Sequence, residues 1–211
     1  MERVRNRNAG ASLYTFGATT LAVAGSVMFL DEPISLAVGR LMQSHGFLAR
    51  YGGNLPDLLL PAVLLLSAWM WIAYVHRVRR GVLDDRTRFH LVAGTALPAA
   101  FLLKTALKFV FGRINTRAWM ESPAVPSFLW FRGGEAHAGF PSGHMTVFAA
   151  LAVAAWYFFP RARVACAALL LALGSALILT NYHFLADVIA GAYLGWAVAA
   201  VTCLALEKRA A

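Results

Sequence analysis

A chain of 211 residues with 60% apolar and only 14% charged side chains has too little polar surface to coat a water-soluble globule, which excludes a soluble domain. The formal net charge of +9 raises nucleic acid as a partner, but the basic residues sit between apolar runs and form no binding face, so that partner is excluded as well. Cys166 and Cys203 lie inside apolar runs as small packing residues, and there is no disulfide framework or zinc-like ligand spacing.

Six apolar runs follow one another, near 12–30, 58–76, 89–111, 142–160, 164–182 and 184–206. Each approaches or exceeds the roughly 20 residues that a helix needs to cross a hydrocarbon core. None shows the alternation of barrel strands, so the fold class is all-α: a polytopic membrane protein of about six transmembrane helices in one bundle, with residues 1–211 a single integral-membrane domain. The first run follows Arg3, Arg5 and Arg7. It reads as a retained span, because it is longer than a signal-peptide core and leads into Asp31-Glu32-Pro33 without a small-residue cleavage site.

Span one should end near Leu30, where Asp31-Glu32-Pro33 opens an outer connection reaching Pro56-Asp57. Its stretch from Ile34 to Leu48 is either an interfacial amphipathic helix or a plain loop. Spans two and three join through the inner loop His76 to Arg88, and span three leaves the membrane through Lys104, Lys108 and Gly112-Arg113. The segment Ile114 to Gly139 is the longest outer connection after that, with Trp119, Trp130 and Phe131 as headgroup-level anchors. Short turns at Pro160-Arg161-Ala162-Arg163 and Asn181-Tyr182 join the last three spans. Twelve of the 19 Lys and Arg residues then share one side: Arg3, Arg5, Arg7, Arg77, Arg79, Arg80, Arg86, Arg88, Arg161, Arg163, Lys208 and Arg209. The positive-inside rule makes that side, with both termini, cytoplasmic.

His144 opens span four and His183 opens span six, both on the outer side, where Lys108 and Arg113 also emerge. Pro141-Ser142-Gly143-His144 reads as a helix start with a capping hydroxyl and a backbone open to close approach, and such a terminus is a ready anion site. His183 and Asp187 are four apart, so on a helix the carboxylate can hold one imidazole nitrogen and leave the other to attack or take a proton. Nucleophile, orienter, acid and anion cradle are all represented.

These residues resemble the type 2 phosphatidic acid phosphatase superfamily, related to vanadium haloperoxidases, whose signature is Lys-x6-Arg-Pro, then Pro-Ser-Gly-His, then Ser-Arg-x5-His-x3-Asp. The middle element is intact at 141–144, and His183 with Asp187 reproduces the end of the third. The resemblance implies a phosphohistidine on His183, Asp187 as its orienter and His144 as the acid protonating the leaving oxygen. Ser142, the Gly143 N–H and Lys108 would hold the phosphate. Both signature arginines are absent, since Asn115-Thr116 and Ala176-Leu177 stand at their positions. Arg113 is the leading replacement on the phosphate, with Arg117 and Arg132 as further candidates from the loop.

The implied function is a lipid phosphatase of the cell (inner) membrane, acting on a lipid phosphate or diphosphate from the extracytoplasmic face, with no metal or other cofactor. A lipid-to-lipid phosphotransferase and a silent lipid-binding or transport protein are the alternatives. A neutral His183 and a protonated His144 would give a bell-shaped pH profile. His137 reads as a solvated loop residue, and His45, His76 and His90 as interfacial ones.

Overall fold

The computed structural model describes residues 2–44, 58–123 and 127–210, and side chains within 13–42, 58–123, 127–134 and 136–206. The described residues are almost entirely helical: α1 (Glu2–Gly25), a π-helical turn (Ser26–Leu30), α2 (Asp31–Ser44), α3 (Leu59–Arg79), α4 (Asp85–Phe111), α5 (Thr116–Glu121), α6 (Gly143–Phe158), α7 (Arg163–Leu179) and α8 (Leu185–Ala210). Five stretches are long and apolar enough to cross a membrane: Leu13–Met42, Leu59–Arg79, Asp85–Phe111, Pro160–Leu179 and Leu185–Leu206. Their outward faces carry bare hydrophobic side chains such as Leu21, Phe29, Leu65, Ile72, Leu102 and Leu171, a surface suited to lipid tails and not to water. The protein is therefore an integral membrane protein.

The expected fourth span is the exception in length, since α6 has 16 residues. It is also the hub of the bundle, packed most extensively against α8 and then α4 and α7. Small residues make that approach close: Ala149, Ala150 and Ala154 on α6 are fully buried. On α8, Gly191 and Gly195 face the backbone of α6, and a Cβ at those positions would come within 2.7 Å of the Ser142 carbonyl and 2.3 Å of the Thr146 carbonyl. Gly191 and Gly195 form a GxxxG pair, which in lipid lets two helix backbones gain dispersion and polar contact where side chains would hold them apart.

One boundary differs from expectation. Span one does not stop at Leu30: the helix continues through Asp31 to Ser44, with the Asp31 N–H donating to the Ser26 carbonyl across the wide π turn. Asp31 was expected at the water boundary, yet it is 1% exposed because three polar groups satisfy its carboxylate inside the bundle. Pro33 lies three residues past the π turn, so its missing N–H falls where the ladder is already distorted. The stretch 34–44 is thus helical, while the rest of the expected outer connection, 45–57, lies outside the described residues.

Candidate active site

Four chain segments meet at one end of the bundle. α6 begins at the cap Ser142, whose side chain accepts from the Met145 N–H at 3.4 Å, while the Ser142 carbonyl takes both the Thr146 N–H and hydroxyl, the latter at 2.7 Å. The Ser142 N–H donates to the Asp187 carbonyl at 3.0 Å, fastening the start of α6 to the first turn of α8. On that turn the Phe184 N–H donates to Asp187 Oδ2 at 3.0 Å, and His183 Nδ1 lies 3.3 Å from the same oxygen. Asp187 and Ser142 are completely buried, and His183 nearly so. An ionised Asp187 fixes the proton of His183 on Nδ1 and leaves Nε2 as the unprotonated ring nitrogen. Burial pushes His183 below the ordinary imidazole range, an effect strengthened by Lys108 and opposed by Asp187 and the Gly139 backbone.

His144, 8% exposed, lies in the first turn of α6. The Tyr182 ring meets it edge-on at 5.8 Å and meets His183 at 5.2 Å, so one aromatic side chain spaces the two imidazoles. Arg117 of α5 covers the Tyr182 ring at 5.4 Å and donates to the Thr180 carbonyl at 3.2 Å.

The cations are arranged differently from the expectation. Arg113, expected on the phosphate, is 1% exposed and held at 2.6 Å by each of two carboxylates, Nη1 to Asp187 Oδ1 and Nη2 to Asp31 Oδ2. Asp31 Oδ1 accepts in turn from Ser26 Oγ at 2.7 Å and from the Ala186 N–H at 3.0 Å. The guanidinium also stacks over Phe184 at 4.4 Å and Phe128 at 4.9 Å. Arg113 reaches this depth because α4 ends at Gly112, in a left-handed conformation (φ +51°) that turns the chain inward where a Cβ would strike the Leu129 carbonyl. Its terminal nitrogens point at carboxylates, not at open space.

Lysines flank the helix start instead. Lys108 donates to the Ala138 carbonyl and lies within the electrostatic reach of both Asp187 and Lys104. Lys104, one helical turn earlier, runs along the start of α6, its Nζ 3.4 Å from where a Cβ on Gly143 would stand. Sequence reasoning passed over Lys104 as a residue at the end of a span, although its four-residue spacing from Lys108 placed both on one helix face. Asp31 and Tyr182 were missed as well. Arg132 is exposed on the loop surface, and His137 is half-buried in the turn Glu135–His137 with its Nε2 unpartnered. Among the described residues no group of three or more His, Cys, Asp and Glu side chains is placed to hold a metal ion.

A family model described as the PAP2 superfamily matches residues 89–211, which include α6, α8 and the segment carrying Arg113. Lipid A 1-phosphatase of Rhizobium etli is 38% identical over 96 residues, 45% of this chain and 41% of that one. The protein of the same name from Rhizobium johnstonii is 37% identical over 94 residues, covering 44% and 38% respectively. The matched region thus spans about two fifths of the length of these relatives. A solved Bacillus subtilis structure, described as a transmembrane PAP2 type phosphatidylglycerolphosphate phosphatase, superposes with a TM-score of 0.47 at 21% identity, covering 94% of this chain and 96% of that one.

Proposed function

The chain belongs to the PAP2 superfamily, and on that premise we propose that it is a membrane lipid phosphatase working through a phosphohistidine on His183. The observation that carries the reading is the bond from the Ser142 N–H to the Asp187 carbonyl, which ties an anion-binding helix start to the turn bearing an oriented imidazole.

In the first step His183 Nε2 forms a bond to phosphorus as the bond from phosphorus to the lipid oxygen breaks, and His144 gives its proton to that departing oxygen. In the second step His144 takes a proton from water, the water oxygen bonds to phosphorus, the P–N bond breaks, and inorganic phosphate leaves with His183 restored. Transition-state charge on the equatorial oxygens meets the Gly143 N–H, the Ser142 hydroxyl, Lys108 and Lys104. Lys104 takes over part of the work of the absent signature arginines, while Arg113 acts one step back, on Asp187. The substrate is a phosphate monoester or terminal diphosphate on a lipid whose tails stay in the bilayer. The relatives' name makes a lipid A-type 1-phosphate the first compound to test. The charge asymmetry of the loops supports cytoplasmic termini and a site on the extracytoplasmic face.

Phosphate release from detergent-solubilised protein, measured over a panel of lipid phosphates and diphosphates, tests the reading. Turnover that disappears in His183→Ala, together with label from a ³²P substrate retained on wild-type protein after an alkaline quench, is the expected result. Label passing to an added lipid instead of to water identifies a phosphotransferase. Wild type as inactive as His183→Ala on every substrate refutes both.

A further inference from the structure

Asp31 lies outside the matched family region and was read from the sequence as a boundary residue, yet it is among the most buried charges in the protein. Its helix carries a π turn immediately before it, a rare distortion that brings the Ser26 hydroxyl onto Oδ1. Beyond that hydroxyl of its own helix, both described contacts of its carboxylate lie toward His183: Arg113, which grips Asp187, and the Ala186 N–H, next to Asp187 in α8.

Charge explains why a second carboxylate is needed. When His183 Nε2 bonds to phosphorus, the ring becomes a cationic phosphoimidazolium with its Nδ1–H still on Asp187. Asp187 stabilises that cation only while its own charge is available. Arg113, at 2.6 Å, would cancel it, leaving a neutral pair beside the ring. Asp31, at 2.6 Å on the other terminal nitrogen, restores a net single negative charge to the Asp31–Arg113–Asp187 cluster. Resting on the phosphohistidine reading, we propose that Asp31 is a positioning residue for the reaction: it neutralises Arg113 so that Arg113 can hold Asp187 rigidly without silencing it.

Other charges also act on His183. Lys108 faces it from α4 with Lys104 a turn behind, and across Tyr182 stand His144 on α6 and Arg117 on α5. None of these touches Asp31 in the described hydrogen bonds and ion pairs, so substitution at position 31 isolates the cluster.

The test titrates His183 by NMR of ¹⁵N-histidine-labelled full-length protein in detergent, its signals identified by their loss in His183→Gln, alongside phosphate release. Asp31→Asn keeps the shape and removes the charge; it should lower the His183 midpoint by about half a unit to one unit and reduce kcat about tenfold with KM within about twofold. Ser26→Ala removes a hydrogen bond from the same carboxylate without changing charge and should leave the midpoint in place. A second pair keeps the test independent of whether Asp31→Asn folds: with the guanidinium gone, Arg113→Gln should titrate higher than Arg113→Gln/Asp31→Asn. An unmoved midpoint in Asp31→Asn, an equal midpoint within the second pair, or a Ser26→Ala shift as large as that of Asp31→Asn overturns the proposal. Ordered midpoints in a protein that hydrolyses no lipid phosphate would instead sink the phosphatase reading and leave the charge balance of the Asp31–Arg113–Asp187 cluster standing.

Discussion

Gly191→Ala adds one methyl group where α8 crosses the start of α6. That Cβ would lie 2.7 Å from the Ser142 carbonyl, 3.1 Å from Met145 Cβ and 3.3 Å from Ser142 Cβ. Relieving the first contact to an ordinary separation moves the two helices apart by about half an ångström, since cores this dense have no slack. Ser142 is also the cap of α6 and the donor to the Asp187 carbonyl, so the movement falls on the joint between cradle and nucleophile. Overpacking of this kind costs about 1–3 kcal/mol. A displacement of about half an ångström at the reacting groups should lower kcat about tenfold, against the ~100-fold expected for a full ångström. Gly195→Ala supplies the comparison: its Cβ would meet the Thr146 carbonyl at 2.3 Å and Ala149 Cβ at 2.7 Å, a worse collision one helical turn farther from the site. Thermal melting in detergent and phosphate release per folded molecule separate the two effects. Gly195→Ala should lose more melting temperature and Gly191→Ala more kcat per folded molecule; a Gly191→Ala protein with unchanged kcat would refute the claim that this crossing sets the site.

Asp187→Asn should lower kcat about 10³–10⁴-fold, because the amide can present the wrong group to His183 and leaves Arg113 facing a neutral partner; single-turnover kinetics would register it, and a loss under tenfold would remove Asp187 from the mechanism. Lys104→Met keeps the apolar stem along the helix start and removes the cation, so kcat/KM should fall about 10²-fold, while unchanged kinetics would leave Lys108 as the working cation of the pair. Burial holds His183 below the ordinary value near 6.5, so the ring is neutral at pH 7 and the acid limb of activity falls as pH drops through a midpoint under about 6.5. The same sign applies to folding: this histidine costs no stability above about pH 6.5 and destabilises the fold progressively below it, where the unfolded chain takes up a proton that the folded chain resists. An acid limb of kcat/KM centred above 6.5 would contradict both.

Helices and their order were legible because lipid imposes a coarse rule: a long apolar run must satisfy its own backbone, and Leu59–Arg79, Asp85–Phe111 and Leu185–Leu206 obey it. Asp31 misled that rule, since a carboxylate beside a proline signals an end unless a partner is buried with it, and its partner lies 82 residues away. The grouping of Ser142, His144, His183 and Asp187 followed from local spacing and the count of crossings. Arg113 showed the limit of that reasoning: position along α4 puts a guanidinium at the right level, while its direction depends on Gly112 turning the chain toward two acids that sequence distance hides. Lys104 was obscured for the opposite reason, because a lysine near a helix end most often only reaches for headgroups.

The shortness of α6 bears on the surroundings the protein requires. Sixteen residues at 1.5 Å each extend about 24 Å, some 6 Å less than a hydrocarbon core of ~30 Å. With its far end, joined to α7 by the tight turn at Pro160–Ala162, at one edge of such a core, the cradle end would fall about one helical turn short of the other edge. A lipid phosphate must then sink toward the bilayer interior, or the bilayer must thin around this helix to meet it. Turnover should accordingly vary with the acyl-chain length of the host membrane, fastest in thin bilayers, which makes bilayer thickness a control on this protein as direct as any side chain.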